Sequence, residues 1–244
     1  MMSYDKRIDG RKFNELRPIE AKVGVIPRAD GSAFFKIGNT WAYATVYGPR
    51  NLYPKALQNP ERGILRCNYN MMPFSGAGER VRPGPSRRSR EISLVTENAL
   101  LPVLNLEDFP NSVVDVYIDL PQTDAGSRCA GITAAAMALA DAGIPMKDLP
   151  VAVAVGKVDN QFLVDLNYEE ESYDGEVVDM PIAMLPRTKE ITLLQMDGQL
   201  KPEDFEKLLE IAIEPLLKIN EIQKKALLEK FKGMSEDEVK NNDF

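Results

Sequence analysis

VVDVYIDLPQTDAGSRCAGITAAAMALADA, residues 113–142, decides the reading of this chain. Its opening, Val113–Leu120, is rich in β-branched and aromatic side chains and predicts a strand. From Gly126 to Ala142 the side chains are Ala, Met, Leu and Ile with almost no polar face. That pattern predicts a largely buried helix, stopped by Gly143 and Pro145. The junction between the two, Gln122-Thr-Asp-Ala-Gly-Ser-Arg128, has the chemistry of an anion cradle. Gly126 allows close backbone approach, Ser127 is the expected N-cap, and Arg128 adds a permanently charged fork of donors. The unpaired amides of a first helical turn bind phosphate-like groups.

Working outward, Ala21–Pro27, Ser32–Gly38 and Thr40–Gly48 read as short strands, with Asp30-Gly31 and Gly38-Asn39 as hairpin turns. Gly63–Met72 is another strand, and Phe74–Pro85 is a Gly/Pro-rich surface loop. A helix begins at Ser86, with Ile92, Val95, Ala99 and Leu100 at helical spacing. Val151–Val155 pairs with Phe162–Leu166 through Asp159-Asn160, and Val177–Leu185 and Glu190–Met196 supply further strands. Pro202 suits the first turn of a last helix, which Pro215 is expected to kink. Strands in runs followed by helix give an α+β class with two strand-then-helix halves, mixed sheets packed on helices. Residues 1–232 are expected to form one domain and 233–244 a charged tail that frays.

Composition removes whole classes of chemistry. There are no histidines, which excludes a Ser–His–Asp triad, a Cys–His pair and His-ligated zinc. Cys67 and Cys129 have no metal spacing and read as buried thiols. Carboxylates, Arg, Lys, hydroxyls, backbone amides or a hard cation must therefore do any chemistry. No stretch approaches the roughly 20 apolar residues that cross a bilayer. Met1–Asp5 has no apolar signal segment. A cytoplasmic protein with no membrane partner is the expectation. The net charge of −7 argues against polyanion binding over the whole surface. Arg80, Arg82, Arg87, Arg88 and Arg90 are nevertheless concentrated enough to hold a polyanion locally.

A second cluster, Asp165-Leu-Asn-Tyr-Glu-Glu-Glu-Ser-Tyr-Asp-Gly-Glu-Val-Val-Asp179, is acidic. Asp179 opens an apolar strand, where a lone carboxylate needs a partner, a proton or a cation. Two carboxylates near a phosphate suit Mg²⁺ or general-acid chemistry.

Nine short segments recur in the order of a known family. They are Asp9-Gly-Arg-Lys12, Asp30-Gly-Ser-Ala33, Tyr47-Gly-Pro-Arg50, Pro85-Ser-Arg-Arg88, Asp124-Ala-Gly-Ser-Arg128, Ala138-Leu-Ala-Asp-Ala-Gly-Ile-Pro145, Asp165-Leu-Asn167, Asp179-Met-Pro-Ile-Ala183 and Leu193-Leu-Gln-Met-Asp-Gly198. With them the chain resembles the RNase PH family, most closely its catalytic branch in the archaeal exosome. The resemblance implies an RNase PH-like fold and phosphate-dependent 3′→5′ degradation of single-stranded RNA, releasing nucleoside diphosphates. It implies inorganic phosphate as co-substrate and Mg²⁺. It also implies a hexameric ring shared with a non-catalytic RNase PH-like sister subunit and capped by RNA-binding proteins. A homohexamer trimming tRNA 3′ ends and a non-catalytic ring subunit that positions RNA are the alternatives. By motif, Arg88, Gly126, Ser127 and Arg128 look like phosphate binders. Asp179 looks like a catalytic carboxylate. Arg50, Tyr53 and Lys55, with Arg87, look like contacts to RNA. The family's second acid falls six positions before Asp179, where this chain has Tyr173. Asp174 and Glu171 both remain candidates for that role, and Asp174 with Asp179 for metal binding.

Overall fold

Strand alternation builds the first sheet of this computed structural model. The structure describes residues 4–78 and 80–241, with side chains as far as Lys232 except at Phe231. Strands β1 (Ile19–Val23), β2 (Gly31–Ile37) and β3 (Thr40–Asn51) form an antiparallel meander. Ala33, Phe35 and Ile37 of β2 and Ala42, Ala44 and Val46 of β3 turn one face inward. Strand β4 (Ile64–Met71) lies parallel to β5 (Ser112–Gln122), which in turn runs antiparallel to β3. The sheet order is β1-β2-β3-β5-β4.

Helix α1 (Arg87–Leu100) starts at a capping box, in which the Ser86 hydroxyl accepts from the Ser89 amide and the Ser89 hydroxyl from the Ser86 amide. Helix α2 (Ser127–Asp141) contacts both sheets, so almost every residue along it is buried. Small side chains are needed where a helix meets neighbours on every side, which is why no apolar stripe is visible in its sequence. Gly31 shows how close the approach is. A Cβ there would lie 2.3 Å from the Ala142 nitrogen. Gly31 therefore serves helix packing and not the hairpin turn expected from Asp30-Gly31. Gly38-Asn39 does form a two-residue turn between Ile37 and Thr40, with Gly38 at φ +56°.

The second sheet consists of β6 (Val151–Val158), β7 (Gln161–Val164), β8 (Val177–Met184) and β9 (Ile191–Leu194), in the order β7-β6-β8-β9. All its pairings are antiparallel, so only the first sheet is mixed. A single helical turn, α3 (Tyr168–Glu171), joins β7 to β8. Helix α4 (Pro202–Asn241) buries Leu208, Ala212, Leu216 and Ile219 against β6 and runs unbroken through Pro215. Its described backbone ends at Asn241, and residues 242–244 lie outside the described residues. One hydrophobic core joins the sheets, with Val116 and Ile118 from the first, Val153 and Met180 from the second, and Met137 of α2 between them. Among the described residues no helix is long and apolar enough to cross a membrane.

Candidate active site

The starts of α1 and α2 meet the start of β8 and the segment after β9 around a cleft of about 730 Å³. Arg88, Gly126, Ser127 and Arg128 enter it from the first half, and Glu171 and Asp179 from the second. The anion cradle and the acidic segment, about fifty residues apart in the chain, thus share one cavity.

Local backbone geometry shapes the cradle. Ala125 and Gly126 are both left-handed, at φ 58° and 61°, and Gly126 is the N-cap of α2. This corrects the expectation that Ser127 caps the helix. The left-handed entry places Ser127 inside the first turn, where its hydroxyl accepts from the buried Tyr69 hydroxyl at 2.8 Å. Among the described residues no side chain caps α2, so its first-turn amides are not consumed by a hydroxyl or carboxamide cap. Arg88 is the second residue of α1 and is exposed on the cleft wall. Arg128 donates to the side-chain oxygen of Gln195, whose amide nitrogen donates to Glu91 at 3.4 Å.

Asp179 is held by its backbone. It pairs with Gly156 in β6, and its amide and carbonyl bond those of Asp197 at 3.0 and 2.9 Å. Its Oδ1 is buried with no hydrogen-bond partner among the described residues. Burial pushes its carboxyl up to about 6; Arg128 and Arg88 pull it down, and Asp197 pushes it further up. Glu171 is pushed up to about 7, first by burial and then by the Asp179 charge, against the Gly126 amide and the charges of Arg88 and Arg17. Two neighbouring carboxyls that favour protonation are suited to proton transfer or to a cation.

Asp174, by contrast, is exposed in the turn after α3 and does not line the cleft. The one-turn helix directs Glu171 inward and carries the chain away before residue 174. Arg87 is exposed at the first position of α1. Arg50 pairs with Asp30 at 3.2 Å and lies over the Tyr47 ring at 4.7 Å. Tyr53 is 66% exposed, and Lys55 begins a short 3₁₀ turn. These four residues lie outside the cleft lining.

Mg²⁺ retains water and takes one or two carboxylates plus phosphate oxygens. Asp179, with its bare oxygen, and Glu171 fit that demand, whereas exposed Asp174 does not. No closed cage of three or more His, Cys, Asp or Glu exists among the described residues.

A buried network, with no local signature in the sequence, ties the acidic turn to the cradle. Arg7 donates to both Glu170 oxygens at 2.8 and 2.6 Å and to the Val164 and Asp165 carbonyls, with both side chains fully buried. The Tyr4 hydroxyl also bonds Glu170, at 2.8 Å. Arg17 holds Asp165 through its amide and guanidinium and reaches the Asp124 carbonyl. Asp124 in turn accepts from the Tyr168 amide at 2.9 Å. Glu171 follows directly from this clamp.

Family models match most of the chain. Residues 15–145 match domain 1 of the RNase PH 3′ exoribonuclease family, and residues 148–214 match domain 2. The chain belongs to this family. It is 52% identical over 238 residues to the exosome complex component Rrp41 of Thermococcus kodakarensis, covering 98% of this chain and 94% of that one. The Rrp41 of Pyrococcus furiosus is 51% identical over 232 residues, covering 95% and 92%. Among solved structures, the Archaeoglobus fulgidus exosome with RNA bound to the active site superposes with TM-score 0.75 at 28% identity, covering 89% of this chain and 92% of that one. Rice Rrp46 superposes with TM-score 0.80 at 25% identity, covering 91% and 100%. The RNase PH resemblance and fold read from the motifs hold.

Proposed function

We propose that this chain is the phosphorolytic 3′→5′ exoribonuclease subunit of an exosome ring, acting on the 3′ ends of single-stranded RNA. The observation that carries this reading is the convergence of Arg88 and Arg128, from separate helices, on a cleft that also holds the unpartnered Oδ1 of Asp179. Orthophosphate is held by the two guanidiniums and by the Ser127 amide, with Gly126 allowing its close approach to the backbone. Its oxygen attacks the phosphorus of the last phosphodiester. The new P–O bond forms as the bond to the penultimate ribose O3′ breaks, and a nucleoside diphosphate leaves. The arginines offset repulsion between two anions and stabilise the charge spread over the transition state. Asp179, whose carboxyl is pushed up to about 6, gives its proton to the departing O3′. Glu171, at about 7, is the second acid. With Mg²⁺ bound, Asp179 and Glu171 would instead hold it as carboxylates, and the metal would supply Lewis-acid neutralisation of phosphate charge.

Single-stranded RNA reaches the cleft past Arg50, Lys55 and Arg87, with the exposed Tyr53 ring available for base stacking. The ring is shared with a non-catalytic sister subunit, RNA-binding cap proteins sit on it, and the assembly works in the cytoplasm. A purely RNA-positioning role leaves the guanidinium pair and the desolvated acid without a use. A homohexameric RNase PH would act on tRNA precursors with no sister subunit present. The test is Asp179→Asn, assembled with the sister subunit. It is expected to lose phosphate-dependent ADP release from poly(A), and release at the wild-type rate refutes the assignment.

A further inference from the structure

Phosphorolysis asks two opposed things of Arg128. Its guanidinium must be held in one orientation, because a free side chain loses rotamer freedom when it grips a ligand. Its charge must also stay uncompensated, because a carboxylate partner would compete with phosphate for the same donors. Carboxylates are abundant nearby: Glu91, Glu171, Asp179 and Asp197 all line the cleft. Yet among the described residues Arg128 makes no ion pair, and its hydrogen bond goes to a neutral amide, Gln195.

Gln195 follows β9 and is fixed at three points. Its backbone amide donates to the Pro181 carbonyl at 3.2 Å. Its side-chain oxygen accepts from Arg128, while its side-chain nitrogen donates to Glu91 at 3.4 Å. Each end of the carboxamide thus meets a group of matching polarity, which sets which way round it lies. The neutral amide bridges a cation and an anion. Gln195 also belongs to the segment Leu193–Gly198, in which Asp197 bridges to the Asp179 backbone. One turn of chain therefore contacts both the phosphate side and the acid side of the cleft.

We infer that Gln195 is a positioning residue: a neutral spacer that orients Arg128 toward orthophosphate and keeps the Glu91 carboxylate from claiming it. This rests on the phosphorolytic reading of the cleft. The choice of Gln at this position, and not the isosteric Glu, is what leaves Arg128 free to bind an anion.

The test compares Gln195→Glu with Gln195→Ala in the full-length chain assembled with the sister subunit. It reads kcat, the KM for orthophosphate, the KM for an oligoadenylate and the thermal midpoint. Gln195→Glu keeps the shape and adds a charge in contact with Arg128. It is expected to raise the phosphate KM about tenfold or more, while the new attraction to Arg128 and the repulsion from Glu91 offset each other and leave the thermal midpoint near wild type. Gln195→Ala releases the orientation and leaves Arg128 open to Glu91 without placing a fixed charge against it, and is expected to raise the phosphate KM by roughly two- to fivefold, with a lower midpoint. A residue that merely packs gives the reverse order, with the isosteric Glu nearly silent and the truncation worse, and that order overturns the inference. If Gln195→Glu fails to assemble, Gln195→Ala decides. A raised phosphate KM with oligoadenylate KM near wild type supports the spacer role, and an unchanged phosphate KM overturns it. Wild-type protein that degrades RNA without orthophosphate contradicts the proposed function itself. Phosphate-dependent wild type with the wrong variant order contradicts only the role of Gln195.

Discussion

Replacing Asp179 by Asn separates what the site costs the fold from what it does for the reaction. In the folded chain this carboxyl is raised from 3.8 to about 6, because burial outweighs the pull of Arg128 and Arg88. At about 1.4 kcal/mol per pH unit, the shift corresponds to roughly 3 kcal/mol. The sign follows from proton binding. Below about pH 4 the group is neutral in both folded and unfolded chains, so its full contribution to stability is present. As the pH rises from there through about 6, the folded chain holds a proton that the unfolded chain has released, and that contribution is lost. Asn has nearly the same shape and does not titrate. Without ligands, Asp179→Asn is therefore expected to be more stable than wild type at pH 7.5, by up to about 3 kcal/mol. In thermal terms this is roughly 6–12 °C for a chain of this size. Near pH 4 the two proteins are expected to converge. Calorimetry or urea denaturation of the unliganded chain at both pH values measures this. A variant less stable than wild type at pH 7.5, or a difference independent of pH, refutes the view of Asp179 as a desolvated, strained acid.

Other perturbations give equally direct outcomes. Arg7→Ala leaves Glu170 buried without its bidentate partner and is expected to destabilise the fold by about 3–5 kcal/mol, read as a lower urea midpoint. Arg7→Lys is expected to recover little, because an ammonium cannot span two carboxylate oxygens and two carbonyls in one plane. Glu171→Gln is expected to lower kcat for phosphorolysis at least about tenfold, while Asp174→Ala stays within about twofold. The opposite ranking in a nucleoside-diphosphate-release assay assigns the second acid to Asp174.

Much of the fold could be read from local pattern, because alternation in β2 and β3 and the small-residue run of α2 follow directly from which faces are buried. The edges of that reading show where local signals fail. Ser127 is a better capping residue than Gly126 by composition, yet only glycine enters a helix easily at φ 61°, and the tertiary contact with Tyr69 claims the hydroxyl. Gly31 reads as a turn beside Asp30, but its use is set by a helix more than a hundred positions away in sequence. Asp179 stood out because a carboxylate in an apolar strand is costly wherever it lies. The choice between Glu171 and Asp174 turns on the length of one loop, in which a single turn of helix leaves Glu171 lining the cleft and Asp174 exposed outside it. The clamp of Arg7 and Arg17 on Glu170 and Asp165 joins residues 163 and 148 positions apart, beyond any periodicity. Gln195 was visible only as part of a motif with no chemistry of its own.

The most direct measurement follows the products of single-stranded RNA degradation as orthophosphate is titrated from zero. Nucleoside diphosphates are expected as the only mononucleotide products, at a rate that saturates with phosphate and vanishes without it. Nucleoside monophosphates, or degradation that proceeds equally well in the absence of phosphate, would contradict the claim that Arg88, Arg128 and Asp179 surround a phosphate-binding catalytic pocket.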